Sequence, residues 1–579
     1  MLPAASSSKA LESWQSIAKR TQQQREATIA AVHPPIPDIL DLPLDSTPIP
    51  KTILTPTEIS ITESDPVDLL AKLSSASLSS VDVTKAFLRR AALAQKLVNC
   101  ITELMPQAAL ERAGWLDSYL KRHGKPIGPL HGLPISTKEM INIARQSCNA
   151  AFISWHDRTP TANAHILDIL LDAGAVLYAR TTQPQTLMHL ETSSNYFGAT
   201  VNPFNRLLTS GGSSGGEGAL VGIRGSCLGI GTDIGGSIRS PAANNGVYGL
   251  RPTSGRLPMQ GMTATMLSAE HILAVIGPLS TSLGGVKVFT KTLIDARPWV
   301  REPGLVPLPW KTEAQFPAGK DGSGKRMRVG VLTDDGVVRP HPPILRALSA
   351  LAEKLKHVPG VEVVPFAPLA HDTAWTIISS LYFADGGSEE SSAIEASGEP
   401  WRPLSKFILH ENKNVKKLSI AEMWDLTAQR DAYRTAYAEH WEDSGIDVLL
   451  CPVGPGAAPQ LDTARYWGYT AQWNLLDYPC LVAPVSKVLP TDTVDESYVP
   501  RNEDDAYNHL LCKFFLPLEE MVRDRMDGRA DSMNIDSPEK YANAPVSVQL
   551  VGRRYEDEKV VEAWEYVQGK LGLPWAAYV

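Results

Sequence analysis

Ser210–Arg256 reads SGGSSGGEGALVGIRGSCLGIGTDIGGSIRSPAANNGVYGLRPTSGR and carries 14 of the chain's 42 glycines in 47 of its 579 residues. Glycine is entropically costly to fold, so such density implies positive φ, close backbone approach, or a flexible linker. A linker would be polar and featureless. This stretch instead alternates glycine turns with apolar runs, Ala219-Leu220-Val221, Leu228-Gly229-Ile230 and Val247-Tyr248-Gly249-Leu250. The pattern predicts short buried elements joined by tight turns. Two serine clusters sit within it: Gly211-Gly212-Ser213-Ser214-Gly215-Gly216, and Gly235-Gly236-Ser237, with Ser237 24 positions after Ser213. A serine flanked by glycines has an unshielded hydroxyl and accessible amides, so each cluster is a candidate nucleophile or oxyanion site. An isolated Gly-Gly-Ser is more often a turn; two on one compact segment favour chemistry.

GGSSGGEGA, GTDIGGSIRSPAA and GLRPTSGR together resemble the signature of the amidase signature hydrolases, in serine spacing and in surrounding residues. Gly-Gly-Glu-Gly-Ala-Leu at 215–220 is most similar to the branch holding fungal acetamidases and fatty acid amide hydrolase. The resemblance runs from about residue 65 to the C-terminus and thins between 257 and 440. It implies an α/β fold, one large α/β/α domain around a mixed β-sheet. It also implies a Ser-Ser-Lys triad: Ser237 as nucleophile, Ser213 as proton relay after a cis Gly212–Ser213 bond, and Lys138 as base. Lys138 falls on the family's lysine in Gly132-Leu133-Pro134-Ile135-Ser136-Thr137-Lys138, where Ile135–Thr137 reads as a short strand. A lone lysine is otherwise a surface charge. The amides of Ile234, Gly235, Gly236 and Ser237 are implied as the oxyanion site, and Asp233 and Arg239 read as structural. Leu187 and Met188 fall where the branch lines its acyl pocket; read from the residues alone they are equally two core side chains. The implied activity is hydrolysis of a carboxamide to an acid and ammonia or an amine through an acyl-enzyme. The alternatives are an amidase subunit of an ammonia-supplying transamidation complex, or a hydrolase preferring esters or long-chain N-acyl amides. Two places depart from the family: Asn244-Asn245-Gly246, and Ser147-Cys148-Asn149-Ala150 after the lysine strand.

The rest of the chain bounds this reading. It is 43% hydrophobic and 20% charged with net charge −8, a soluble globular composition without a basic block for nucleic acid. No run of 18 apolar residues and no signal-peptide layout or glycosylation sequon occurs, so no membrane partner is expected and the cytoplasm is the default compartment. The six cysteines are scattered and read as reduced core thiols. No cofactor or metal is expected: the histidines lack ligand spacing, His189-x-Glu191 has no Pro-Cys-x-x-Cys to make it a zinc motif, and Gly319–Arg326 fails as a phosphate loop because Arg326 stands at its Ser/Thr position. His131 is an alternative base, read here as structural. The expected partner is a small amide, and the sequence leaves the oligomeric state open, a homodimer among the options.

In chain order, residues 1–64 form a helical and extended N-terminal cap, with Leu11, Trp14, Ile17 and Ala18 at helical spacing and a proline-rich run over 34–56. Residues 65–579 form the catalytic domain. A helix starts near Ser79, with Asp82 completing a capping box and Val83, Phe87, Ala91, Ala94 and Val98 as its buried face. Helix 165–173 leads through Gly174 into strand 175–178. Further on come strand 328–332, helix 343–356, helix 420–440 and strand 448–452. Surface insertions are expected at about 295–326 and 487–540, the second mobile.

Overall fold

The structure, a computed structural model, describes residues 12–312, 326–493, 495, 497–512 and 538–573. The phosphate-loop near-match, apart from Arg326 at its end, lies outside them. Among the described residues eleven strands form one sheet: β1 (Ile101–Leu104), β2 (Pro134–Lys138), β3 (Val176–Thr181), β4 (Leu228–Asp233), β5 (Tyr248–Arg251), β6 (Val275–Ser280), β7 (Met327–Val331), β8 (Val361–Pro365), β9 (Val448–Pro452), β10 (Cys480–Lys487) and β11 (Pro545–Val551). Their order is β1-β3-β2-β4-β6-β5-β10-β11-β9-β7-β8. Strands β2, β3 and β4 run parallel, as do β7, β8 and β9; the pairs between and beside these groups are antiparallel. The α/β class with a mixed sheet is therefore as expected. The sheet crosses the Pro/Gly-rich region near residue 300 without a break, because β10 pairs with β5.

Central strands are buried on both faces, which is why β4, β6 and β9 lack polar alternation. Helix Ser80–Val98 covers one face. Ser79 caps it, its Oγ accepting from the Asp82 amide at 3.0 Å, and Asn99 ends it in the left-handed region. Its expected apolar stripe is buried throughout. The other half of the molecule packs around an aromatic cluster that includes Tyr382, Tyr437, Trp441, Trp467 and Trp473. Helix Ile420–Ser444 starts at a true capping box, Ser419 with Glu422.

The N-terminal helix, Trp14–Ala30, buries Ile17, Ala18 and Ile29 and lies against β1. The expected insertions are tied down where they are described. In the second, Arg346 pairs with Asp492 at 2.6 Å, and the Arg339 amide donates to Asp505 at 2.9 Å. Its abundant acids serve as partners for arginines of the body, so this part is anchored rather than loose. In the first, Glu302 accepts from the amides of Met259 (2.9 Å) and Gln260 (3.2 Å) and lies 2.7 Å from His165 Nδ1. It thereby braces a wall of the cavity described next. Among the described residues no helix is long and apolar enough to cross a membrane.

Candidate active site

The glycine-rich stretch forms the middle of the molecule. It supplies helix Gly215–Gly222, β4, a loop over 234–238, helix Arg239–Asn244 and β5. Almost every residue in it is buried. The two serine clusters meet: the Ser214 amide donates to the Ser237 carbonyl at 3.1 Å. The Gly212–Ser213 bond is cis. Ser213 and Ser237, 2% and 3% exposed, both line one cavity of about 620 Å³.

Lys138 ends β2 and is fully buried. Its Nζ donates to Ser213 Oγ at 2.7 Å and to Thr232 Oγ1 at 2.9 Å. Lys138 itself does not line the cavity, whereas Ser213 and Thr232 do. Burial pushes its ammonium down to about 7, against the pull of Asp233 and Glu217. Glu217 is the second buried ionisable group here. It accepts from Ser136 Oγ at 2.6 Å and Thr181 Oγ1 at 2.7 Å. Burial pushes its carboxyl up to about 7, with those hydroxyls and Lys138 opposing. Ser136 stands two residues before Lys138 on the same strand, so both side chains share one face of the sheet.

The loop after β4 is organised by Asp233. Its carboxylate accepts from the amides of Gly236 (2.9 Å) and Ile238 (3.1 Å), from Arg239 Nε and Nη2 (both 3.0 Å), and from Asn474 Nδ2 (2.9 Å). Burial alone would raise this carboxyl; Arg239 and Asn474 outweigh it and hold it well below the usual carboxylate range. The structural reading of Asp233 and Arg239 fits this geometry. The Gly236 amide, expected in the oxyanion site, is directed at Asp233 instead. The amides of Ile234, Gly235 and Ser237 donate to no protein acceptor among the described residues. Gly236 adopts φ +135°, which only glycine reaches without strain.

Leu187 and Met188 are both buried and both line the cavity. They are core and pocket at once: Leu187 belongs to the apolar cluster behind helix Ser80–Val98, and Met188 to the aromatic one. Thr186 and Leu187 hold φ of 65° and 60°, uncommon for side chains of this bulk. Among the described residues five methionines line the cavity: Met140, Met188, Met259, Met262 and Met266. Leu267 and Leu273 lie at its exposed edge, 65% and 44% accessible. His131 is buried elsewhere, its Nδ1 accepting from the Ile127 amide at 3.3 Å. The departure at Asn244–Gly246 is packed rather than open, with Asn245 Nδ2 donating to the carbonyls of Ser210 and Pro241 at 2.8 Å.

Sequence reasoning missed Thr232, Glu217, Tyr382 and Thr470. Tyr382 Oη donates to the Ile234 carbonyl at 2.8 Å and Thr470 Oγ1 to the Gly235 carbonyl at 2.6 Å. Both arrive from more than 140 residues downstream, where nothing local marks them.

The family model described as Amidase matches residues 82–561. A putative amidase of Schizosaccharomyces pombe is 43% identical, over 96% of this chain and 99% of that protein. An acetamidase of Emericella nidulans is 39% identical, over 97% and 99%. Among solved structures, a fatty acid amide hydrolase aligns with a TM-score of 0.87 at 34% identity, covering 97% of this chain and 96% of that one. A glycine-rich core stretch, a buried lysine bonded to a serine, and near full-length likeness to named amidases converge: the chain belongs to the amidase signature family and is a hydrolase acting on amide C–N bonds.

Proposed function

We propose that the chain hydrolyses a carboxamide through an acyl-enzyme on Ser237, with Ser213 as relay and Lys138 as base. One observation carries the reading. Lys138 is sealed behind Ser213 and Thr232, which face the cavity while the lysine does not. A base in that position reaches a substrate only through a hydroxyl. Ser237 Oγ attacks the carbonyl carbon. Its proton passes to Ser213 Oγ as the Ser213 proton passes to neutral Lys138 Nζ. The amides of Ile234, Gly235 and Ser237 receive the oxyanion. Collapse breaks the C–N bond, and the proton returns through Ser213 to the departing nitrogen. Water then repeats the sequence on the acyl-enzyme and releases the acid.

Intact mass spectrometry after a fluorophosphonate probe tests this. One adduct on Ser237, absent from Ser237→Ala, is expected; labelling that persists in Ser237→Ala overturns it.

The cavity bears on the substrate. Its volume falls in the range that holds a drug-sized ligand, far more than acetamide would fill, and its methionines adapt to irregular apolar shapes. We assign it to the apolar part of an amide larger than acetamide. Over a series from acetamide upward, kcat/KM should rise about fourfold per added methylene, the equivalent of ~0.8 kcal/mol. A flat or falling series refutes the assignment.

A further inference from the structure

We infer that Tyr382 is a positioning residue for the oxyanion site, fixing the direction of the Gly235 amide through the Ile234 carbonyl. The inference rests on the acyl-enzyme reading above. A trans peptide holds its C=O and the following N–H antiparallel, so fixing one fixes the other. The Ile234–Gly235 bond is trans. Tyr382 Oη donates to the Ile234 carbonyl at 2.8 Å. Tyr382 is 2% exposed and does not line the cavity, whereas Ile234 and Ser237 do. The tyrosine therefore holds that carbonyl on the side away from the cavity. The Gly235 N–H is left directed to the opposite side from the tyrosine, with no protein acceptor among the described residues.

The tyrosine is well placed to hold this geometry. It is the last residue of helix His371–Tyr382, and its ring packs against Trp467 with centroids 6.1 Å apart. A Cβ built on Gly235 would lie 2.6 Å from Trp467 and 2.7 Å from the Tyr382 hydroxyl. Only glycine lets these two rings close on the loop. Burial keeps the phenol well above its ordinary range, so it remains a donor wherever the enzyme works.

The next carbonyl supplies an internal control. Thr470 Oγ1 donates to the Gly235 carbonyl, and so orients the Gly236 amide. That amide serves Asp233 rather than the cavity. The Thr470 hydroxyl also lies 3.1 Å from the Trp467 carbonyl of its own helix, so its single proton is shared. Deleting each hydroxyl removes one hydrogen bond to one loop carbonyl. The two deletions differ in which N–H loses its anchor. A purely structural role predicts similar effects for both; the positioning role predicts a difference.

The test compares wild type, Tyr382→Phe and Thr470→Val on one amide, with a trifluoromethyl ketone of the same acyl group as a transition-state analogue. Tyr382→Phe should lower kcat about tenfold, below the roughly 10²–10³ lost when an oxyanion donor is removed outright. KM should not move, and the ketone's inhibition constant should rise by the same factor as kcat falls. Thr470→Val should stay within about twofold in both. Equal losses in the two variants, or an effect on KM alone, overturn the assignment. A crystal structure of the wild-type ketone adduct decides the matter even if a variant fails to fold. The adduct oxygen should accept from Gly235 N while Tyr382 still donates to Ile234 O; an oxygen bound elsewhere refutes it. Fluorophosphonate labelling of Ser237→Ala separates the two claims. Labelling lost there, with ketone affinity unchanged in Tyr382→Phe, sinks only the tyrosine's role. Labelling retained sinks the acyl-enzyme reading and the tyrosine's role with it.

Discussion

Lys138 and Arg239 are both fully buried near the cavity floor, and their surroundings differ in kind. Arg239 meets a carboxylate, with Nη2 3.0 Å from Asp233 Oδ1, and also donates to the Thr470 carbonyl at 2.8 Å. Lys138 meets two hydroxyls. A cation in a dry interior must be paired or must give up its charge. Arginine cannot give it up, so the loop that carries Ser237 is built around a permanent ion pair. Lysine can, and hydroxyl partners accommodate a neutral amine. One region is thus held by charge and the other is prepared for proton transfer. The comparison shows that burial of a basic residue is not itself a functional signal. The chemistry of its partners decides.

Three substitutions and pH measurements sharpen or break this contrast. The largest effect on turnover is expected for Lys138→Met, which should lower kcat by about 10²–10⁴ while the melting temperature holds or rises. Near-normal activity at neutral pH would return the lysine to a structural role. Arg239→Met should act the other way, on stability first. It leaves Asp233 charged and buried without its partner, at about 3–5 kcal/mol, readable from a denaturant midpoint. If the two methionine variants destabilise equally, the contrast between the regions is wrong. Next comes the activity profile. Lys138 is pushed down to about 7, and only its neutral form accepts the Ser213 proton. Activity should therefore fall as pH drops below about 7, towards tenfold per unit. A wild-type kcat/KM profile that stays level from pH 8 to pH 5 would place the base elsewhere.

Legibility in the sequence followed the range over which each signal acts. Ser213 and Ser237 announced themselves through flanking glycines, a local property. The buried stripe of helix Ser80–Val98 and the runs of β4 and β9 were equally local. Lys138 was readable only through family resemblance, because one lysine after one short strand has no periodicity to mark it. The sheet order was not readable. β10 enters beside β5 from more than 200 residues later, with β11 next to it, and strand patterns do not encode neighbours. Glu217 was quoted as a branch mark, but an acid in a first helical turn reads as solvated. Its burial depends on Ser136 and Thr181 arriving from two other strands. Gly236 illustrates the limit from the other side. Its glycine was correctly noticed, yet which way its amide points depends on Asp233.

The finest test concerns Lys138 and Glu217 together and is read in the slope of stability against pH. Burial pushes Glu217 up to about 7, from about 4.3 in an unfolded chain. Between those values the folded protein holds a proton the unfolded chain has lost, so the glutamate's contribution declines as pH rises. Burial pushes Lys138 down to about 7, from about 10.4 unfolded. Between those values the unfolded chain holds the extra proton, so stability recovers as pH rises further. The two windows meet near pH 7, where the pair should create a minimum with flanking slopes of up to about 1.4 kcal/mol per pH unit. Asp335 and Glu390, each pushed up by burial to about 6, add their own decline at lower pH. The quantity to measure is therefore the difference between wild type and Lys138→Met/Glu217→Gln, by urea unfolding from pH 5 to pH 10. A minimum in the difference curve near pH 7 means that the site folds with one shared charge deficit, lysine neutral above and glutamic acid neutral below. A maximum there would mean a charged ion pair like Asp233–Arg239, and the distinction between the two regions would collapse.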